Sequence, residues 1–324
     1  MGHLSVAWPY PIGVVIPTYN RPQALLTCLQ HLERQTWRNF EVLVVDDGST
    51  DRTSQLLEEY KLATPLNFRC LNQKNSGPAC ARNRAVRLLR SEVCLLIGDD
   101  IFASPDFVLR HLELHQQRPE INVAGLGLTQ WSDFGQAVTP FMRWLEEDGL
   151  QFANNDLLRG MPPTWRHFYT SNLSVKTQLL RENPFNELFT KAAAEDIELG
   201  YRLKQFHKLE IIFLRDALAH HLHPTNFRKA CKRNITVGSS IRLFHELWPE
   251  TSLEDSHRIS SIKRILRDEI SKSPPLLGAL TMIAEALTAV RCPNPLMRNV
   301  LSCYFNLGYR SANFPVRRST NVLV

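Results

Sequence analysis

Phe40-Glu41-Val42-Leu43-Val44-Val45-Asp46-Asp47-Gly48-Ser49-Thr50-Asp51 is the stretch on which the fold turns. Its first half is a nearly unbroken apolar run, which reads as a short strand buried on both faces. The run stops at two carboxylates and a glycine, residues that suit a turn. The same shape recurs on either side of it. Gly13-Val14-Val15-Ile16-Pro17 ends at Thr18-Tyr19-Asn20, and Val93-Cys94-Leu95-Leu96-Ile97 ends at Gly98-Asp99-Asp100. Helical spacing separates these runs: Leu25, Leu29 and Leu32 within Pro22 to Gln35, then Leu56, Leu57 and Tyr60 after a cap at Ser49 or Thr50. Phe68 to Leu71 reads as a third strand and Pro78 to Leu89 as a helix. Ser104-Pro105-Asp106 opens a further helix with proline at its first position. Strands alternating with helices predict an α/β protein with a parallel sheet, and in such sheets ligands sit beyond the carboxyl ends of the strands. The polar clusters fall at those ends.

Beyond this region the signals change. Gly125 to Lys191 reads as irregular and holds Trp144, Pro162-Pro163 and Trp165; Glu195 to Lys204 is helical, and Leu209 to Phe213 is a strand. From about Thr225 the pattern is helical and basic. The chain of 324 residues is long enough for one large domain plus a helical appendage. We therefore expect one domain over 1–224, in two parts of about 10–125 and 126–224, followed by a helical extension over 225–324. A net charge of +6 suits phosphates or anionic headgroups as partners. Seven cysteines, none in a CxxC pair, argue against a disulfide framework or a zinc site and suit a reducing compartment. No signal peptide is recognisable, and Pro274 to Val290 is too short and polar for a membrane span.

Taken in order, Val15-Ile16-Pro17-Thr18-Tyr19-Asn20-Arg21, Val44-Val45-Asp46-Asp47-Gly48-Ser49-Thr50-Asp51, Asn75-Ser76-Gly77-Pro78-Ala79 with Ala81-Arg82-Asn83, Gly98-Asp99-Asp100, Glu195-Asp196 and His220-His221-Leu222-His223-Pro224 form an ordered set. The set resembles the family 2 glycosyltransferases and covers about Gly13 to Pro224. The resemblance implies a GT-A fold, a Rossmann-like catalytic domain for nucleotide-diphosphate sugars over 1–224, with its nucleotide-binding half about 10–125 and its acceptor half about 126–224. It implies an inverting transfer of a sugar from such a donor, UDP-linked by family frequency, to a saccharide or lipid-linked acceptor. It also implies a divalent cation, Mn2+ or Mg2+. The cysteines and the lack of a recognisable signal peptide suit a cytoplasmic chain, with peripheral contact on the inner face of the membrane left open by the basic C-terminal region.

The residues carry the implied roles as follows. Pro17, Thr18 and Tyr19 line the donor site, where Tyr19 can stack on the base; the alternative is a core tyrosine. Asp46 and Asp47 can accept from an imide N–H such as that of uracil, while Gly48 permits a backbone that a side chain would forbid. Asp51 we read as a helix cap. Arg82 can reach the base or diphosphate, or it is a surface arginine in a salt bridge. Asp99 and Asp100 stand for the metal-binding DxD-type motif, with Ile97 where the first aspartate often stands; hard oxygen ligands suit magnesium or manganese. Asp99 also counts toward the donor site. Asp196 is the candidate catalytic base, its charged form favoured by the helix dipole, with Glu195 as fallback. Among His220, His221 and His223, His221 is the first choice for completing the metal site.

Around the C-terminal cations Arg228, Lys229, Lys232, Arg233, Lys263, Arg264 and Arg267, the apolar residues Leu243, Leu247, Ile259, Ile262 and Leu266 allow two readings: a basic amphipathic face for a membrane, or a helical cover. The stretch after Phe314 reads as a loose tail. A catalytically inactive nucleotide-sugar binding protein is the alternative function. An NAD-dependent oxidoreductase would need GxGxxG after the first strand, which Pro17-Thr18-Tyr19-Asn20 lacks, and no nucleic-acid recognition motif is found.

Overall fold

The computed structural model describes residues 8–148, 150–152, 154–256, 267–290, 292 and 294–314. The chain forms two compact units, Met1–Pro224 and Thr225–Val324.

The first unit is built on one eight-stranded sheet of order β3-β2-β1-β4-β7-β6-β8-β5. Four parallel strands make one half: β1 (Tyr10–Thr18), β2 (Phe40–Asp46), β3 (Asn67–Asn72) and β4 (Ser91–Ile97). Side chains alternate across each strand, and both faces are covered. Ile12, Val14 and Ile16 pack with Leu25, Leu29 and Leu32 of α1 (Pro22–Glu33), with Leu57 of α2 (Thr53–Ala63), and with Phe107 and Leu112 of α4 (Phe107–Gln117). Val15, Leu43 and Val45 face the other way, onto Ala81 and Ala85 of α3 (Pro78–Leu88) and onto Leu199 and Leu203 of α8 (Glu195–His207). Burial on both sides is why these strands read as unbroken apolar runs.

The segment expected to be irregular completes the sheet. It contains β6 (Val123–Trp131), α5 (Pro140–Glu147), α6 (Asn154–Leu158), a 3-10 turn (Trp165–His167), β7 (Asn172–Lys176) and α7 (Thr177–Glu182). β7 runs antiparallel between β4 and β6, so this half is mixed rather than parallel. β8 runs from Glu210 to His221, well past the expected Phe213, and β5 (Ile101–Ala103) pairs antiparallel with its end. A proline at the first helical position was expected after Ser104, but α4 begins at Phe107 with Asp106 as its cap residue. Nor do Ser49 and Thr50 cap α2. Asp51 accepts from the Thr53 N–H at 2.9 Å, while Thr50 N–H binds Asn20 Oδ1 at 2.7 Å.

The second unit is helical: α9 (Phe227–Leu247), α10 (Pro249–Ser256), α11 (Pro274–Val290) and α12 (Pro295–Ser311). Leu243, one of the apolar residues that allowed either a membrane face or a helical cover, is buried. Ile259, Ile262, Lys263, Arg264, Leu266 and the tail after Phe314 lie outside the described residues. Among the described residues, no helix is long and apolar enough to cross a membrane.

Candidate functional site

The parallel register sets Thr18 beside Asp46 and Val15 beside Leu96, so three polar strand ends meet at one edge of the sheet. Asn20, with a φ of 53°, ties two of them together. Its N–H binds Ser49 Oγ at 2.9 Å and its amide oxygen accepts from Thr50.

Asp46 and Asp47 are both buried and both engaged by the chain. Asp46 accepts from the Ser49 N–H at 2.9 Å and from the Ser54 hydroxyl. Asp47 accepts from Gln73 Nε2 at 2.8 Å, Ser76 N–H at 2.9 Å and Gly77 N–H at 2.8 Å, which pins the loop before α3. Gly48 sits at φ +78°, and a Cβ there would lie 2.7 Å from the Asn75 backbone nitrogen. Tyr19 is 45% exposed, so it is no core residue and its ring is open to a ligand.

The acids after β4 are met by β8. His221 pairs with Ile101, next to Asp100, and Leu222 N–H binds the Asp100 carbonyl at 2.8 Å. His221 Nε2 is thereby 3.3 Å from Asp100 Oδ2, and His223 Nδ1 is 3.4 Å from it. The two imidazoles stack at 5.1 Å, and His221 is held by Trp131 stacked on it at 5.4 Å and Phe152 edge-on at 5.4 Å. One ligand atom from each of Asp100, His221 and His223 lies within 4.8 Å of the others. Asp99 turns to different partners, accepting from Thr18 Oγ1 at 2.7 Å and Arg21 Nη1 at 3.2 Å. His220 faces away from the trio and lines a half-open cavity of about 420 Å3 with His31, Phe102 and Phe134.

Arg21 joins the two acids. Its Nη1 is also 2.5 Å from Asp100 Oδ2, and its Nη2 is 3.5 Å from His223. Sequence reasoning assigns Arg21 no role; its signal in the chain is a cation three residues beyond a strand whose neighbour leads into two acids. The sequence does not single out His223 from its neighbours either, since only the β5–β8 pairing separates it from His220. Burial and Asp100 push the Asp99 carboxyl up to about 6, against the pull of Arg21. Burial pushes Asp100 up as well, but His221, His223 and Arg21 outweigh it and hold Asp100 well below the usual carboxylate range.

A second cluster forms at the start of α8. Arg82 is not at the surface: it is 7% exposed, its Nη1 is 2.9 Å from Glu195 Oε1, and its guanidinium lies over Phe185. Arg82 Nε and Glu195 Oε2 are buried and have no hydrogen-bond partner among the described residues. Asp196 accepts from its neighbour's N–H, that of Ile197, at 2.8 Å. The helix dipole was expected to favour its charged form, yet desolvation and then the Glu195 charge push Asp196 up to about 7. Two acids in adjacent positions, Glu195 buried and Asp196 partly buried, outweigh the partial charge of a helix end. Ala194, just before them, has φ 65°, a left-handed conformation unusual for a residue with a Cβ.

The arrangement offers a carboxylate–imidazole cluster able to hold a cation and, separately, a carboxylate of raised pKa able to take a proton near neutrality. Comparison with known proteins gives these clusters a context. A family model described as Glycosyl transferase family 2 matches residues 13–175. Validoxylamine A glucosyltransferase of Streptomyces hygroscopicus subsp. jinggangensis is 33% identical over 227 residues, which cover 59% of this chain and 51% of that protein. The chain spans 65%, 51% and 47% of the length of three of the curated relatives it matches. The fold resembles that of mannosyltransferase PcManGT from Pyrobaculum calidifontis, solved in complex with GDP-Man and Mn2+, with a TM-score of 0.55 at 19% identity over 96% of this chain and 81% of that one. It also resembles S. aureus TarS 1-349 in complex with UDP-GlcNAc, with a TM-score of 0.51 at 18% identity over 93% and 91%.

Proposed function

The chain belongs to glycosyl transferase family 2, and we propose that it is an inverting glycosyltransferase that moves a sugar from a nucleotide-diphosphate donor, UDP-linked, to an acceptor hydroxyl. The observation that carries this reading is the gathering of Asp100, His221 and His223 at the sheet edge where Thr18, Asp46 and Asp99 also end. The two likened structures, titled with GDP-Man and Mn2+ and with UDP-GlcNAc, support a nucleotide-sugar site on this fold. They differ in the base, so uridine rests on family frequency: Asp46 and Asp47 are taken up by donors of the chain itself, and the ring of Tyr19 would stack on any base.

A divalent cation fits the trio by the chemistry of its donors. One carboxylate and two imidazoles suit Mn2+ better than Mg2+, which prefers oxygen throughout. When bound, the cation would neutralise the diphosphate as it leaves. Asp100, His221 and His223 would hold it, and Asp99, buried beside Thr18, would serve the donor rather than the cation.

The remaining steps belong to the chain's own groups. Tyr19 and the Asp46–Gly48 turn hold the nucleoside, leaving the anomeric carbon toward α8. Asp196 takes the proton of the acceptor hydroxyl as its oxygen bonds to that carbon and the bond to the diphosphate oxygen breaks on the opposite face, which inverts the centre. With a pKa near 7 it is a stronger base than an ordinary aspartate and is still substantially ionised at neutral pH. Glu195 raises that pKa by its charge and is itself fixed by Arg82, so we assign it to tuning the base. The acceptor is a saccharide, free or lipid-linked. The same reading sets the chain in the cytoplasm, in peripheral contact with the membrane that carries a lipid-linked acceptor.

A thermal-shift panel of UDP, GDP, TDP and CDP, each with and without MnCl2, tests the donor site. Stabilisation by one nucleoside diphosphate that requires the metal is expected. Equal responses with and without metal, or none to any nucleotide, would refute the assignment of the trio.

A further inference from the structure

Helix α11 departs from the rule that a surface helix turns its polar side to water. Its inner face is regular: Leu277, Thr281 and Ala284 are buried, and Thr281 Oγ1 lies 3.2 Å from the Tyr304 hydroxyl of α12. Its outer face is apolar too. Leu276 is 47% exposed, Met282 58%, Ile283 51% and Leu287 40%, with Ala286 exposed between them. At 100° per residue these positions fall on one broad stripe. The helix carries a single charge, Glu285, and that carboxylate is paired with Arg228 of α9 at 2.5 Å. Exposed apolar surface of this extent on one helix marks a surface that meets something else.

The charges beside the stripe say what it meets. Glu285 is three residues from Met282 and so neighbours it on the helix surface. Its partner Arg228 therefore sets the start of α9 along that edge of the stripe. There Arg228, Lys229, Lys232 and Arg233 are all exposed, two pairs at helical spacing of four. From Phe227 to Phe244, α9 contains no acidic residue. A second copy of the chain, also at +6, would bring the same cations against these, which is unfavourable. An anionic lipid surface would attract them and take up the apolar stripe. At 17 residues, roughly 26 Å long, α11 is shorter than a bilayer's hydrocarbon core, so it would lie in the interface.

We propose that the exposed face of α11, flanked by the cations of α9, is a docking surface for membranes rich in anionic headgroups. It names the contact surface for the peripheral attachment put forward above, but it rests only on the second unit and stands or falls apart from the donor site. Co-sedimentation of the full chain with vesicles of phosphatidylcholine alone, or of phosphatidylcholine with phosphatidylglycerol, tests it. Binding to the anionic vesicles that weakens in high salt is expected. Met282→Glu with Ile283→Glu should abolish it. Lys229→Glu with Lys232→Glu should weaken it by about fivefold or more per cation removed. All four side chains are exposed, so the variants should keep the wild-type melting curve and its response to nucleotide and MnCl2. That response also separates the two readings, because vesicle binding lost with the response intact indicts the docking surface alone. Wild-type protein that stays in the supernatant with anionic vesicles, variants that sediment like wild type, or a dimer in light scattering that Met282→Glu dissolves would each overturn the proposal.

Discussion

The residue on which the proposed transfer depends most is Asp196. Its carboxyl is raised from 3.8 to about 7, first by desolvation and then by Glu195. Two consequences follow with definite sign. A base must be ionised to work, so kcat/KM should climb with pH and level off above an apparent pKa near 7. Removing the neighbouring charge by Glu195→Gln should shift this rising limb to lower pH while activity persists, whereas Asp196→Asn should cost 100-fold or more, on the order of a lost general base. A flat pH profile between 5 and 8 would rule out Asp196 as the base. Stability should run the opposite way. Because the folded pKa lies above the ordinary value, the carboxyl favours the folded state fully below about pH 4, and that contribution is lost as pH rises through 7. Asp196→Asn should therefore flatten the fall in melting temperature over that window.

At the level of elements, the position of His221 depends on a bulge. β6 and β8 pair evenly up to Gly127 with Leu214, then resume at Thr129 with Ala219, leaving residues 215–218 of β8 looped out. Asn172 of β7 holds the loop: its Nδ2 donates to the Leu128 carbonyl at 3.2 Å and the Ala217 carbonyl at 3.0 Å. Its Oδ1 accepts from His111 Nε2 at 2.8 Å, and burial keeps His111 neutral by lowering its pKa to about 4. A Cβ on Gly127 would lie 2.3 Å from the Asn172 amide oxygen, so the glycine is what lets the amide in. Asn172→Leu should cost about 2–4 kcal/mol in urea unfolding, since it strands two carbonyls and a ring N–H in the core; a loss below about 0.5 kcal/mol would show that the bulge is held by something else. This device also marks the limit of what could be read from the chain. Buried parallel strands announce themselves through unbroken apolar runs, so β1, β2 and β4 and the acids at their ends were legible. β7 was not, because Asn172-Leu173-Ser174-Val175-Lys176 carries its polar residues inward, where Ser174 and Asn172 meet His111. Polar residues in a strand suggest a loop until their partners, sixty residues away, are known. For the same reason His221 could be favoured over His220 and His223 in the sequence but not separated from them, and Arg21 could be quoted without a role.

For the whole molecule, the polar edge is a store of charge that the fold keeps in balance. Asp99 and Asp100 are both buried, and Arg21, with a side chain 39% exposed, neutralises them from the solvent side. A bound cation and this guanidinium would compete for Asp100 Oδ2, the oxygen each would need. Stability and metal affinity should therefore move oppositely when Arg21 is removed. Arg21→Ala should destabilise the protein in EDTA by about 1–2 kcal/mol, after allowance for the exposed side of the pair, because it leaves two buried acids without their cation, and the melting temperature should fall accordingly. In MnCl2 the deficit should close, since a cation at a hundredfold excess over its Kd adds about 2.7 kcal/mol to the native state. That is roughly 5–10 °C for a unit of this size. Wild type should show a smaller rise at equal MnCl2, a still smaller one with MgCl2, and none after His221→Ala with His223→Ala. Titration calorimetry supplies the second reading, with Mn2+ binding to Arg21→Ala on the order of tenfold tighter than to wild type, the equivalent of the 1.4 kcal/mol freed when the oxygen is no longer shared. Equal or weaker binding by Arg21→Ala would mean that the guanidinium supports the cation site instead of occupying it, and the acids would then need a different source of balance in the metal-free protein.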